Sequence, residues 1–151
     1  MQLAPEWVVG FVDGEGCFHV SLQEHAEMTA GYQVLPEFVV VQHVRDVQVL
    51  QALKRFFRCG VVRSNHEDRW CYRVRNFEGL ERICAFFERH LLKTRKRGDF
   101  EKFRRVIRLM REQRHLVPEG LLEIAEIAGS MNTTHRPALE RAKARLQSGQ
   151  R

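Results

Sequence analysis

The 151-residue sequence lacks the features that mark exported, membrane-spanning or zinc-bound proteins. Its four cysteines include no Cys-x-x-Cys pair, so a zinc ribbon is not indicated and free thiols in a reducing compartment are expected. No apolar run approaches the ~20 residues of a membrane span, and the first residues include no basic signal-peptide region. We therefore expect an intracellular protein with no membrane partner, in a bacterial cytoplasm or an organelle matrix.

Sequence motifs of several enzyme classes are missing as well. None of the seven histidines belongs to a helical His-x-x-x-His pair or to a His/Cys cluster suited to zinc. The chain has neither a nucleophile-elbow serine nor a glycine-rich phosphate loop. What remains is chemistry at carboxylate oxygens, which are the ligands that suit Mg²⁺.

What the sequence does contain is an excess of positive charge. Its 25 lysines and arginines exceed its 19 acids, which gives a formal charge of +6 and a pI near 9.5. Between Arg89 and Arg114 there are 11 basic residues and 3 acids. A run of this kind is usually a solvated helix face, but it also suits contact with the phosphates of a nucleic acid.

The stretch Trp7–Gly16 predicts a buried helix, because its first half is apolar on nearly every side. The segment Asp13-Gly14-Glu15-Gly16 is expected to stop the helix, since glycines allow conformations that a helix cannot continue through. Two carboxylates at the negative end of the helix dipole favour a nearby cation. A plain polar turn between a helix and a strand would explain the same residues. Gly10 and Gly14 share one helical face, where a second backbone could pack closely.

The rest of the chain alternates between strand and helix patterns. Period-two alternation predicts strands at 17–23, 32–43, 61–65 and 70–75, and Pro36 favours an edge position or a bulge. Helical spacing predicts helices at 45–57, 77–92, 99–114, 117–128 and 137–146. Two hairpins backed by helices make an α+β domain with an antiparallel four-stranded sheet. We expect one domain over 1–115 and a helical extension of it over 116–151.

One face of the predicted sheet carries side chains that can read base edges. Arginine favours guanine, whereas asparagine and glutamine favour adenine. A sheet with one polar face and one apolar face suggests that the polar face lies in a DNA groove, as a saddle-shaped surface. The candidate DNA contacts are His19, Ser21, Gln23, Gln33, Arg63, Asn65, Arg73 and Arg75 on the sheet, with Lys93 and Arg95 in the basic run.

Val8–Gly16 resembles the nine-residue motif that names the LAGLIDADG homing endonucleases. Val-Val replaces Leu-Ala at its first two positions, and Glu replaces Asp at the eighth. Phe38–Gln42 is similar to the second-strand motif of this family, and Tyr72–Asn76 to one of its later strands. The segment 91–100 resembles the lysine-containing segment of the family. The resemblance spans about residues 7 to 110, in the family's order.

This resemblance implies a Mg²⁺-dependent nuclease that cuts both strands of a long, pseudo-palindromic DNA site and leaves 3′ overhangs. It implies Glu15 and the Gly14 carbonyl as metal ligands and Gln42 as the residue that positions water. Lys96 is implied near the scissile phosphate, and Arg95 competes with it for that position.

Family members with one copy of the motif act as homodimers, and this chain has one copy. Twofold symmetry would bring two Glu15 carboxylates together. The residues expected at the dimer interface are Trp7, Val9, Gly10, Asp13 and Gly14. Three other functions fit the sequence: a maturase that binds intron RNA, a DNA-binding regulator without nuclease activity, and a structural homodimer that binds no nucleic acid.

Overall fold

The computed structural model describes residues 1–132 and 136–149. Over these residues the chain forms α1 Pro5–Glu15, β1 Gly16–Glu24, β2 Tyr32–His43, α2 Val47–Phe57, β3 Val61–His66, β4 Arg69–Val74, α3 Phe77–Arg89, α4 Lys96–Arg111, α5 Pro118–Gly129 and α6 Pro137–Gln147. The four strands form one sheet in the order β1-β2-β4-β3. The predicted α+β class with a four-stranded antiparallel sheet is confirmed. No helix in the described part of the chain is long and apolar enough to cross a membrane.

Pro36 was predicted to lie at an edge position or a bulge, and it lies in β2, an inner strand of the sheet, ahead of the stretch that pairs with β4. The pairing of β2 with β4 begins at Phe38, which is opposite Val74, and ends at His43, opposite Arg69. Pro36 precedes this paired stretch. A residue without an N–H is therefore tolerated, because β4 does not accompany that part of β2.

Contacts divide the chain into two units, of which the first comprises Met1–Phe18 and Glu37–Phe100. Its core is aromatic: Phe18, Phe38 and Phe87 are at most 1% exposed. The Phe18 ring lies 5.1 Å from that of Phe38 and meets that of Phe87 edge to face at 88°. Aromatic pairs in such tilted arrangements add to the stabilisation that burial alone provides.

The second unit comprises His19–Pro36 and Glu101–Arg151. Its described core is aliphatic and includes Ile107 from α4, Ile124 from α5 and Leu139 from α6, all at most 3% exposed. The predicted division of the chain at residue 115 stays a prediction.

Helix α1 is longer than predicted, since it continues through Gly14 and ends at Glu15. The following Gly16 has φ −84° and ψ 164°, an extended conformation open to any residue, so the expected special glycine conformation is not used. A Cβ at Gly16 would lie 2.7 Å from Val12 Cγ1 and 3.0 Å from the Val12 carbonyl oxygen. Glycine is needed here for space.

Several further helix boundaries differ from the prediction, most of them by one to three residues. α3 ends at Arg89, short of residue 92, and α4 begins at Lys96 where 99 was expected. The start of α4 is fixed in part by the Thr94 hydroxyl, which accepts a hydrogen bond from the Lys96 backbone N–H at 3.3 Å. Part of the basic run is therefore helical.

Candidate active site and nucleic-acid interface

One face of α1 is open to solvent in the single chain. We define this open face by Trp7, Gly10, Phe11 and Gly14. Trp7 is 44% exposed, and its ring stacks on that of Phe11 at 4.8 Å. Outside the backbone of α1, a Cβ at Gly10 or at Gly14 would meet none of the described residues within 4 Å. The composition of α1 predicted that the helix is buried on all sides, but in the single chain one side is exposed.

The opposite face of α1 packs inside its own unit. Val8 and Val12 are fully buried, and Val9 is only 7% exposed. Val9 is among the residues predicted at a dimer interface, but its surface is nearly all used by its own chain. The open face is therefore the part of α1 that offers area to a partner.

Asp13 holds the turn that precedes α4. Its carboxylate accepts hydrogen bonds from the backbone N–H groups of Lys93 (2.8 Å) and Thr94 (3.2 Å) and from the Thr94 hydroxyl (2.7 Å). Partial burial alone would raise the pKa of Asp13, but these hydrogen bonds and the nearby Lys96 charge outweigh it and lower the pKa. Asp13 is accordingly a structural acid inside one chain.

Lys96 lies directly against the end of α1. Its ammonium group donates to the carbonyl of Val12 at 3.2 Å and to that of Gly16. A positive charge at this position is favourable, because it meets the negative end of the helix dipole. Arg95 is exposed. Of the two residues that compete for the active-site lysine position, Lys96 is the one in contact with the α1 terminus.

Glu15 is the exposed acid at this site. It is the last residue of α1, and no hydrogen bond or ion pair engages its carboxylate within residues 1–132 and 136–149. Across the same ranges, no three His, Cys, Asp or Glu side chains are grouped to hold a metal ion. One chain therefore offers one free carboxylate here.

Gln42 lies near the end of β2, where it is half-buried and opposite Trp70. The next residue, His43, is bonded through both ring nitrogens: Nδ1 accepts from the Arg45 backbone N–H at 3.1 Å, and Nε2 lies 2.9 Å from Asp68. The Val44 N–H also donates to the Asp68 carbonyl, at 2.7 Å. These contacts fasten the strand after Gln42 to the β3–β4 turn. No sequence signal marked His43 or Asp68, since they lie 25 positions apart in the chain.

In the first unit, the outward face of β3 and β4 has the predicted basic character. Arg73 is opposite Val61 on β3, and Arg63 is exposed. Arg75 lies just past the end of β4, and its Nε donates to Glu37 at 2.8 Å. Asn65 lies in a bulge, because the register shifts between residues 64 and 66.

In the second unit, β1 alternates as predicted. Val20 and Leu22 are buried, whereas Ser21 is half-buried and Gln23 is exposed. Ser21 Oγ donates weakly to the Leu35 carbonyl at 3.5 Å. His19 on β1 and Gln33 on β2 are both half-buried. The candidate DNA contacts of this unit therefore lie on the side of the strand away from the core.

Comparison with known proteins matches residues 8–107 to the model of the LAGLIDADG endonuclease family. A protein of Neurospora crassa named probable intron-encoded endonuclease 3 is 30% identical over 83% of this chain. The chain spans only about a quarter of the length of such curated relatives, 24% in this case.

Solved structures show the same likeness. The homing endonuclease I-TnaI is 53% identical, with a TM-score of 0.94 over 97% of this chain and 99% of that one. I-SmaMI bound to cleaved DNA is 32% identical, with a TM-score of 0.91 over 96% of this chain and 49% of that one. With two thirds of its length matched and the motif placed at an exposed helix end beside Lys96, the chain belongs to the LAGLIDADG endonuclease family.

Proposed function

We propose that this chain is a homodimeric, divalent-metal-dependent endonuclease that cuts a long, pseudo-palindromic DNA site and leaves 3′ overhangs. The observation that carries the proposal is the end of α1. There Glu15 is exposed and has no partner in the described residues, and the carbonyl of the following Gly16 accepts a hydrogen bond from Lys96. A binding protein has no need of an unpaired carboxylate in a region meant to approach phosphates.

The homodimer is supported by the open face of α1. Trp7 and Phe11 offer apolar area, and the missing side chains of Gly10 and Gly14 leave room for a second helix. A twofold contact of this face is self-complementary. The chain also matches 49% of I-SmaMI, so a second copy would correspond to the rest of that protein's length.

The donor set at this helix end suits a hard divalent cation such as Mg²⁺. Glu15 supplies a carboxylate, the Gly14 carbonyl is a second candidate, and a twofold partner would double both. A structure of I-SmaMI with its DNA target was determined in the presence of calcium ions, which supports a divalent cation. When bound, such a cation supplies the Lewis acid for phosphodiester hydrolysis.

Lys96 and Gln42 supply the remaining polar groups of the proposed mechanism. The Lys96 ammonium already lies at the end of α1, where it would offset negative charge on the scissile phosphate. The Gln42 amide can donate and accept, so it can orient a water molecule for attack. Asp13 takes no chemical part, because its oxygens are engaged by Lys93 and Thr94.

The test is a side-by-side comparison of wild type and Glu15→Gln on a randomised duplex library with Mg²⁺. We expect wild type to cut one long, near-palindromic site with 3′ overhangs, whereas Glu15→Gln binds that site without cutting it. Cleavage retained by Glu15→Gln would refute the site. If neither protein cuts but both retain a common duplex, the regulator is favoured. Binding of intron RNA alone would favour a maturase.

The proposal includes an intracellular location, in an organelle matrix or a bacterial cytoplasm. It is supported by relatives that are named after introns, such as a 50.9 kDa protein in ND4 intron 1 of Podospora anserina. Fractionation of the native host, with the chain detected by antibody, tests this part.

A further inference from the structure

Two arginines fix helix α6 to the β1–β2 hairpin in the second unit. Arg136, just before α6, donates to the carbonyl of Val20 on β1 and, at 3.3 Å, to that of Ala128. Arg145 pairs with Glu24 at the end of β1, and its guanidinium lies 5.6 Å from the centre of the Tyr32 ring. The position of α6 relative to the hairpin is therefore defined by side chains of both.

Arg141 on the same helix has no such role. The neighbouring Lys143 pairs with Glu140 at 3.2 Å, so its charge is balanced. Arg141 is exposed, and nowhere in ranges 1–132 and 136–149 does it have an ion pair or hydrogen bond. An arginine without such contacts among the described residues is available to a ligand.

Arg141 borders a cavity of about 490 Å³ between α6 and the hairpin. Gln23 and Glu24 line the opposite side. Because Arg145 neutralises Glu24, Arg141 leaves the cavity with a net positive charge. Gln23 is one of the candidate base-reading residues, so a duplex read by Gln23 would bring its backbone to this cavity.

We propose that this cavity is a phosphate-binding site in which Arg141 contacts the DNA backbone beside the bases that Gln23 reads. The guanidinium fork suits two phosphate oxygens at once. This inference rests on the proposed DNA-binding function. It means that helix α6 contributes part of the affinity for DNA. Contacts of this kind position a protein on the duplex without reading sequence.

The test uses the duplex that wild type retains from a randomised library. Its affinity is measured by fluorescence anisotropy over a salt series for wild type, Arg141→Gln, Arg141→Lys and Arg55→Gln. Arg55 is the matched control, because it is also an exposed arginine on a helix, α2, and it lies outside both the basic run and the cavity lining. We expect Arg141→Gln to weaken binding about fivefold to tenfold and to reduce the slope of log affinity against log salt by about one per chain. Arg141→Lys should restore most of the slope, and Arg55→Gln should leave it unchanged.

Methylphosphonate substitution then locates the contact. One neutralised phosphate per half-site should weaken wild type but not Arg141→Gln. If wild type binds duplex and Arg141→Gln has the same affinity and salt slope, this inference is wrong while the proposed function stands. If wild type retains no duplex, the proposed function itself fails. Thermal unfolding of each variant confirms that the exposed substitutions leave the fold intact.

Discussion

The two faces of α1 differ although they belong to one helix of 11 residues. On the inner face, Val8 and Val12 are fully buried, Asp13 holds the turn before α4, and Lys96 caps the helix end. On the open face, Trp7 is exposed, and a Cβ at Gly10 or Gly14 would meet nothing within 4 Å among the described residues outside the backbone of α1. The inner face builds the unit, and the open face is what the unit can present to a second copy.

The same contrast separates the two acids of the motif. Asp13 accepts three hydrogen bonds, whereas Glu15, two positions later, has none in the described residues. Their places on opposite sides of the helix terminus give one a structural task and leave the other for chemistry. Substitutions on the two faces should therefore have separable consequences.

The largest expected effect comes from Gly10→Leu on the open face. A Cβ at Gly10 meets nothing within 4 Å in the described residues, so the monomer should fold normally, but the bulk of leucine should prevent close pairing of two helices. We expect sedimentation to show a monomer and cleavage of the selected duplex to be lost. Gly98→Leu is the control, since Gly98 on α4 also has open space around it. A Gly10→Leu dimer that still cuts DNA would contradict the proposed interface.

The next effect concerns Lys96 on the inner side. Lys96→Met should lower kcat for cleavage by about 10²- to 10³-fold at unchanged affinity for the duplex, because a charge near the reacting phosphate is removed. Arg95→Gln should leave kcat close to that of wild type and weaken binding only slightly. Single-turnover cleavage and binding assays separate the two outcomes. If Arg95→Gln lowers kcat and Lys96→Met does not, the active-site position belongs to Arg95.

The smallest effect is on stability, from Asp13→Asn. Loss of hydrogen bonds to a charged acceptor should lower the free energy of unfolding by about 1–3 kcal/mol at neutral pH. Folding lowers the pKa of Asp13 from its ordinary value of 3.8, so its stabilisation is present above that value. It is lost as the pH falls through the folded-state pKa.

Denaturant unfolding of wild type and Asp13→Asn at several pH values checks this. The difference between them should shrink as the pH falls below 3.8, the ordinary pKa of this carboxyl. Glu15→Gln at neutral pH is the matched control, because no described residue pairs with this exposed acid, so the substitution should leave the free energy of unfolding unchanged. If the difference in the free energy of unfolding between wild type and Asp13→Asn does not change with pH, the negative charge of Asp13 does not contribute to stability.

Local patterns predicted much of the fold. Alternation along β1 placed Val20 and Leu22 inside and Ser21 and Gln23 outside, as the structure has them. The bulge at Asn65 was not predicted, because a single strand's pattern does not contain its register with a partner. The end of α1 was misplaced for a related reason. Gly16 is required by contact with the Val12 side chain, a property of packing that composition does not reveal.

The sequence likewise predicted some residues of the candidate site and not others. Motif resemblance pointed to Glu15 and Lys96, and the structure adds the contact of Lys96 with the α1 end. The role of Thr94 was not foreseen, since its hydroxyl meets Asp13 across 81 positions of sequence. Side-chain contacts over such distances depend on the tertiary fold, so no local signal could have marked them.

The three glycines of the motif region have a consequence for how its variation should be interpreted. Gly16 has no room for a side chain, so any replacement there would be rejected by the folding of one chain. Gly10 and Gly14 have open space among the described residues, so with the proposed dimer replacements there would be limited only by pairing with a second copy. A saturation screen that scores abundance and activity separately tests this difference. Replacements of Gly16 should lower abundance, whereas bulky replacements of Gly10 and Gly14 should lower activity at normal abundance.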